Sequence, residues 1–370
     1  MCRIKEGGRL CVLLLTAALV FLPQASLADD SPRELWQIWT SAESVSYSEP
    51  VTVYSTFHDL EGGFNRGDEA FTYNRFAVGL SRGAFSIGFL ARYDYHVQAD
   101  PDTAELMHAG GNDLSLDLDR VYTIRGSVNH IRSNGIVLGY RFQPIRRVDL
   151  NVELSLLRAN QLLEGDIAGT IATVENETYS GQARVSYSYS EDLLLHRKVS
   201  EPTGYGYAFD AHLVWHITDT IDLAVSVEDW MHAIQWDDAP FTRADVTSAT
   251  VSFDENGFIE TTPILSGVEG EHNLRQQLPV RTDVEITYKF RPRMEVSVAA
   301  FNVDSVTLPR LGFTWQASAE RQWQFGYGAK DKALTVGVTH RNFRVFLGSD
   351  RIDYREARYL SFGVSYLQRW

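Results

Sequence analysis

Cysteine is nearly absent from this chain of 370 residues; the only two are Cys2 and Cys11, so nothing beyond the N-terminus can be held by a disulfide. Long apolar runs are missing too. The longest, Val12 to Leu22 (VLLLTAALVFL), falls short of the roughly 20 residues that a helix needs to cross a bilayer. Helical periodicity is not sustained anywhere after residue 28. Positive charge is in deficit, with 34 Lys and Arg against 48 Asp and Glu and a net charge of −14, which argues against nucleic acid as a partner. The chain contains no phosphate-binding glycine loop, no G-x-S-x-G elbow and no H-E-x-x-H. These absences favour a protein that is not an enzyme and that carries no cofactor.

Cys11 stands in a segment with its own logic. Arg3, Lys5 and Arg9 make a basic start, Val12 to Leu22 an apolar stretch, Pro23 a break, and Ser26-Leu27-Ala28 a small-residue cleavage pattern. Residues 1–28 read as a secretory signal peptide. Cys11 precedes the apolar stretch, so it is not a lipid-attachment site. Residues 1–28 carry a net +2 from Arg3, Lys5, Glu6 and Arg9, so the remainder would stand at −16 against −14 for the whole.

What is abundant is aromatic: 17 Tyr, 19 Phe and 8 Trp, many of them at every second position. Phe85, Ile87, Phe89, Ala91, Tyr93, Tyr95 and Val97 share one parity, with Ser86, Gly88, Arg92, Asp94 and His96 between them. Tyr205, Tyr207, Phe209, Ala211, Leu213, Trp215 and Ile217 repeat this, opposed by Asp210, His212 and His216. Ile136 to Phe142, Val148 to Leu156, and a series of short runs from Val284 to the C-terminus behave alike. Period two is the mark of half-apolar strands, and the tight polar turns between them mark antiparallel hairpins.

A soluble β-sandwich also alternates. Its strands, however, are about five or six residues long, whereas several runs here reach nine or more, with Tyr and Trp near their ends. That length crosses a tilted bilayer, and amphipathic rings suit its two interfaces. A closed barrel is the only sheet that leaves no unpaired edge in lipid. The expected fold is therefore all-β: a transmembrane antiparallel up-and-down barrel of about 14–16 strands.

The final strand, "YLSFGVSYLQRW", places Leu360, Phe362, Val364, Tyr366 and Trp370 on one parity. It resembles the C-terminal aromatic assembly signal of bacterial outer-membrane β-barrel proteins, with Gln368 as a departure where a hydrophobic residue is usual. The resemblance implies export across the inner membrane of a Gram-negative bacterium and insertion into the outer membrane by the barrel-assembly machinery. It also implies contact with membrane lipid and lipopolysaccharide. The weakly patterned residues 29–70 and the tight C-terminal hairpins are also loosely similar to fatty-acid-transporter-type barrels, whose N-terminus plugs the lumen.

The resulting plan has residues 29–70 as a periplasmic or lumenal plug segment and residues 71–370 as the barrel, with a long external loop at about 230–280. With Trp370 at the periplasmic side, Arg341-Asn342, Ala317–Arg321, Arg291–Arg293, Thr218–Thr220 and Pro144–Arg147 become periplasmic turns, and Asp350–Arg358 and Lys330–Lys332 become external. Asp100–Gly111 then counts as a long periplasmic connection, and Asp254-Glu255-Asn256-Gly257 as a hairpin turn in the external loop.

Parity nominates Arg92, Asp94, Arg125, Asp149, Glu153, Arg184, Asp210, His212, Glu285 and Lys289 as lumen-lining. Either they line a polar conduit, or they form ion pairs that stiffen the wall. Asp210, His212 and His216 share a strand face, but positions four apart on a strand are about 13 Å apart, too far for one ion; no metal is expected. His340 with Thr339 at a strand end is too little for a lipid-modifying enzyme. The reading that follows is a porin-like or facilitated conduit for an unidentified small molecule. A structural or assembly barrel with a filled lumen, part of an envelope export or conjugation apparatus, is the alternative.

Overall fold

The computed structural model describes residues 35–370 apart from 57–59, 61, 175–177, 193–196, 249–250, 254–258 and 262–263. The signal-peptide segment and the Asp254–Gly257 turn therefore lie outside the described residues. In chain order the elements are β1 (Trp36–Ser48), α1 (Val53–Thr56), β2 (Glu69–Arg82), β3 (Phe85–Ala99), α2 (Pro101–Gly111), β4 (Val121–Ile145) and β5 (Val148–Val174). Next come β6 (Thr178–Tyr189), β7 (Gly204–His216), β8 (Ile221–Ser248), β9 (Val251–Phe253), β10 (Ile259–Thr261) and β11 (Ile264–Gln276). The chain ends with β12 (Arg281–Arg291), β13 (Met294–Val303), β14 (Val306–Ser318), β15 (Arg321–Gly328), β16 (Leu334–His340), β17 (Phe343–Ser349) and β18 (Tyr359–Arg369).

Fourteen of these strands close a barrel. β1 to β5 follow one another, β5 continues to β7, β7 to β8, β8 to β12, and β12 to β18 in turn. The ring shuts where β18 meets β1, antiparallel from Gln37↔Arg369 to Tyr47↔Tyr359. Closure satisfies every edge, which an apolar surround demands. That surround is implied by the outer face, where Phe85, Ile87 and Phe89 on β3, Ile136 and Leu138 on β4, Ile286 and Phe290 on β12, and Leu334 and Val336 on β16 are all exposed. Exposed apolar rows this continuous around a whole barrel belong in hydrocarbon.

One end of the barrel has only short connections, at residues 83–84, 146–147, 217–220, 292–293, 319–320 and 341–342. Gly83, Arg147 and Arg341 take left-handed backbone there, with φ of 58°, 72° and 54°, as two-residue hairpin turns require. The other end carries the long segments 49–68, 100–120 and 350–358. About ten residues cross a membrane as a tilted strand, yet β4, β5 and β8 have 25, 27 and 28. Their surplus rises past the barrel at the long-loop end. There β6 joins upper β5 to upper β8, and β11 pairs upper β8 on its other side. β9 and β10 pair as a small separate hairpin.

Three parts of the sequence-based plan change. Residues 36–48, assigned to an N-terminal plug, are a wall strand. After Trp36 and Ile38 their outward positions, Thr40, Ala42, Ser44 and Ser46, are small or polar, which hid the alternation; pairing to two neighbours fixes them regardless. The described part of residues 49–68 packs over the long-loop end instead, with the Val53 amide donating to Ala357 O at 2.8 Å and the Asn65 amide to Pro50 O at 2.8 Å. Second, the 100–111 connection lies at the long-loop end, as α2. β4 is one continuous strand, bulged between Arg132 and Ser133, with no turn to reverse the count. Third, nearly two thirds of the supposed loop 230–280 is the upper part of β8 and β11.

Candidate functional site

Pairing register sets which side chains face the lumen. Odd positions of β1 and β2, even positions of β3, and odd positions of lower β4 and β5 point inward, and they meet in two different ways around the ring. From β2 to β8 they interlock. Ala77, Leu90, Ile131, Val137, Leu157, Ala159, Leu162, Ala208, Ile234 and Trp236 form one buried apolar cluster inside the barrel. Trp236 is fully buried; its indole N–H donates to Gln276 Oε1 at 3.0 Å, and its ring lies on Gly204, where a Cβ would come within 2.7 Å of it. Trp39 lies in the same way over Gly79 and Gly88.

Beside this cluster runs a buried chain of charges. Arg75 donates to Asp210 at 2.8 Å and to Glu153 at 3.1 Å. Arg92 bonds Asp94 and, at 2.7 and 2.8 Å, both carboxylate oxygens of Asp229. Arg281 reaches Glu228 and Asp229, each at 2.8 Å. The Asp229 amide donates to Asp210 Oδ1 at 2.9 Å, joining the pairs into one network. Low dielectric strengthens each attraction but makes any lost partner expensive.

From β13 to β18 one inward row is small, with larger side chains above and below it. This register row reads Ser297, Gly312, Gly326, Thr335, Gly348 and Ser361 across six neighbouring strands. A cavity of about 370 Å³ lies against this half, and its lining includes Glu43, Glu285, Lys289, Glu295, Arg310 and Arg344. Within it Lys289 pairs with Asp222 at 2.6 Å, and Arg310 with Asp283.

The long-loop end of the lumen is narrowed by Tyr47, Phe71, Tyr73, Val303, Val306, Leu308 and Tyr359, a buried cluster that brings β2 against the β13–β14 turn from across the barrel. A polar clasp sits beside it. His96 Nε2 lies 2.5 Å from Glu69 Oε1, His96 Nδ1 lies 3.2 Å from Asp304, and Ser305 bonds Glu69. The ligand atoms of Glu69, His96 and Asp304 lie within 4.8 Å of one another, a grouping that the sequence did not suggest. Here both imidazole nitrogens are engaged by carboxylates of the chain itself. Above the barrel, Asp102 of α2 bonds Arg66 and Arg120, each at 2.7 Å. Partial burial alone would raise its carboxyl; the two guanidiniums and the Thr123 amide outweigh that and hold it below the ordinary aspartate range.

Of the residues nominated by parity, Arg92, Asp94, Glu153 and Asp210 are in the buried network, and His212 faces the lumen with Nδ1 2.7 Å from Ser226 Oγ. Glu285 and Lys289 line the cavity. Asp149 lies at the short-turn end, 3.5 Å from His216. Arg125 and Arg184 do not face the lumen. Both are exposed on the rise above the barrel, Arg184 paired with Asp245 at 2.8 Å, because alternation continues unchanged where the lumen has ended. Glu43, Arg75, Glu228, Asp229, Arg281 and Arg344 were missed. Arg75 stands opposite Arg92 across the β2–β3 pair, a signal that pairing the two runs would have revealed. Asp229 breaks parity through the β7–β8 bulge, with φ of 55°, and no alternation rule finds it. Leu360, Phe362, Val364 and Tyr366 lie on the face of β18 opposite inward Tyr359 and Ser361, and the Trp370 amide donates to Trp36 O at 3.1 Å.

No family model and no curated protein matches the sequence. Among solved structures, the chain is similar to a ΔS2S3 mutant of the TodX monoaromatic hydrocarbon channel, at 9% identity and a TM-score of 0.45 over 92% of this chain and 91% of that one. It is similar to the Pseudomonas putida toluene transporter TodX at 9% identity and 0.39, over 92% and 91%. A Pseudomonas aeruginosa FadL homologue follows at 9% and 0.34, over 90% and 87%. Likeness at this level assigns no role to any residue of this chain.

Proposed function

We propose that the chain is an outer-membrane barrel that passes a small molecule through the β12–β18 side of its lumen. The observation that carries the reading is the cavity of about 370 Å³ beside a register row of small inward residues, in a barrel whose other side holds a buried apolar cluster. A space held open against so well filled a neighbour is a feature of the sequence, not slack in the packing. The names of the similar channels, which handle monoaromatic hydrocarbons, are compatible with a small-molecule route. In this reading the short turns face the periplasm and the long loops face outward, among lipopolysaccharide. Residues 1–28 direct export, and Leu360, Phe362, Val364, Tyr366 and Trp370 serve recognition by the assembly machinery.

The filled-lumen alternative has its own support in the packed half and in the aromatic constriction at the long-loop end. Single-channel conductance of the refolded chain from residue 29 in planar bilayers separates the two. Discrete open steps support the conduit. Silence from a barrel that migrates as folded on a gel, even after Phe71 and Tyr73 are both truncated to Ala, would leave the structural role standing.

A further inference from the structure

The cavity holds charges that its wall does not neutralise. Six carboxylates line it, and three are held: Asp222 by Lys289 at 2.6 Å, Glu228 by Arg281 at 2.8 Å, and Asp283 by Arg310. Glu43, Glu285 and Glu295 have no hydrogen bond or ion pair among the described residues, and Arg344 is the one lining cation in the same state. Arg344 is close enough to Glu43 and Glu285 to feel both charges without bonding either. Glu43 Oε1 and Arg344 Nε are shut off from solvent with no partner, so it is Glu43 Oε2 that stands open to a bound group. Buried atoms without a partner are rare in folded proteins and each represents a missing hydrogen bond.

Three unpaired carboxyl groups stand against one guanidinium in a space partly lined by Tyr73, Phe301, Leu308, Phe346 and Tyr359, so acceptors outnumber donors there. A bound group must bring donors and positive charge to Glu43 and Glu285, and apolar surface to the rings. The volume is within the range of small-ligand pockets. We propose that this cavity binds a small organic cation with a compact apolar body, an arylalkylamine being the simplest case. Its ammonium donates to the free carboxylates of Glu43 and Glu285, and its body lies against the aromatic lining. This assignment rests on the conduit reading for its biological sense, but not for its chemistry.

The test is isothermal titration calorimetry of the refolded chain in detergent at neutral pH, with phenethylamine, phenylacetate and toluene as probes that share a ring and differ in charge. Phenethylamine should bind and phenylacetate should not, and Glu43→Gln and Glu285→Gln should each weaken the amine about tenfold, the worth of one charged hydrogen bond. Toluene or phenylacetate binding as tightly as the amine would overturn the proposal, as would an amine affinity that neither variant moves, or displacement of the amine by millimolar sodium alone. Gel mobility with and without heating checks that each variant has folded; if Glu43→Gln fails, Glu285→Gln decides. Conductance steps from the same preparation keep the two claims apart. Open steps without amine binding would sink the cation site and spare the conduit; amine binding without steps would do the reverse.

Discussion

A single register row runs nearly the whole way round the barrel, and its two parts differ. From β13 to β18 it presents Ser297, Gly312, Gly326, Thr335, Gly348 and Ser361; across the β18–β1 seam it continues as Val45, Tyr73, Asp94, Ile131 and Leu162. The backbone ladder is the same throughout. Side-chain volume alone decides that one half is a core and the other a space. A barrel of fourteen strands is wide enough that its interior must be filled or flooded, and this one does each on a different side.

The sharpest way to break the comparison is to remove one arginine from each half. Arg92→Ala leaves buried Asp94 without its cationic partner and Asp229 with Arg281 alone, and should lower stability by about 3–5 kcal/mol. Arg344→Ala on the cavity side breaks no ion pair and should change stability by less than about 1 kcal/mol. Urea titrations of the folded gel band in the two variants measure the difference; equal losses would show that the halves are not distinct.

Glycines give a second, smaller contrast. Gly204→Val would drive two methyls into the immobile ring of Trp236 and should destabilise by about 1–3 kcal/mol. Gly337→Phe, whose Cβ would meet Phe346 Cβ at 3.2 Å, should destabilise less than Gly204→Val and also reduce the conductance step, since Gly337 lines the cavity.

The packed side is also the capped side, because α2 is fastened to β4 through Thr103 Oγ1, which donates to Arg125 O at 3.1 Å. Asp102 holds this cap to Arg66 and Arg120, and its folded-state carboxyl is depressed. The tie is therefore fully present above the unfolded value of about 3.9 and lost as pH falls through the lower folded value. Pepsin cleavage within residues 100–120 should rise across that interval while the barrel band persists, and Asp102→Asn should remove the pH dependence. The smallest effect expected is at the rim of the cavity half. Glu320→Ala opens the fully exposed Glu320–Arg341 pair, 2.9 Å apart, and should shift neither urea midpoint nor conductance measurably.

The strands from β12 onward were legible because they alternate cleanly and most end in a short polar turn such as Arg341-Asn342. β1 was not, since beyond Ile38 its outward face has no large apolar residue. Height was not legible either. Parity says which side of a strand Arg184 shares, but not that β6 stands above the membrane zone, where there is no lumen to face. Of the site, parity nominated Arg92, Asp94, Glu153, Asp210, His212, Glu285 and Lys289, and it passed over Glu43 and Arg75, which obey it too. It could not find Asp229, which a bulge turns inward beside Glu228.

What the sequence determined by itself is the class of object: alternation over strands long enough to cross a bilayer, with no sustained helical periodicity after residue 28, no cysteine there and no apolar run of bilayer length to offer another solution. Only the tertiary structure decided which inward residues meet. Alternation is a property of one strand, whereas the cavity, the Arg75–Asp210 pair and the unpartnered Glu43 and Arg344 arise from strands brought together by closure. Closure fixes register between residues as far apart as Gln37 and Arg369, and no local pattern encodes that distance.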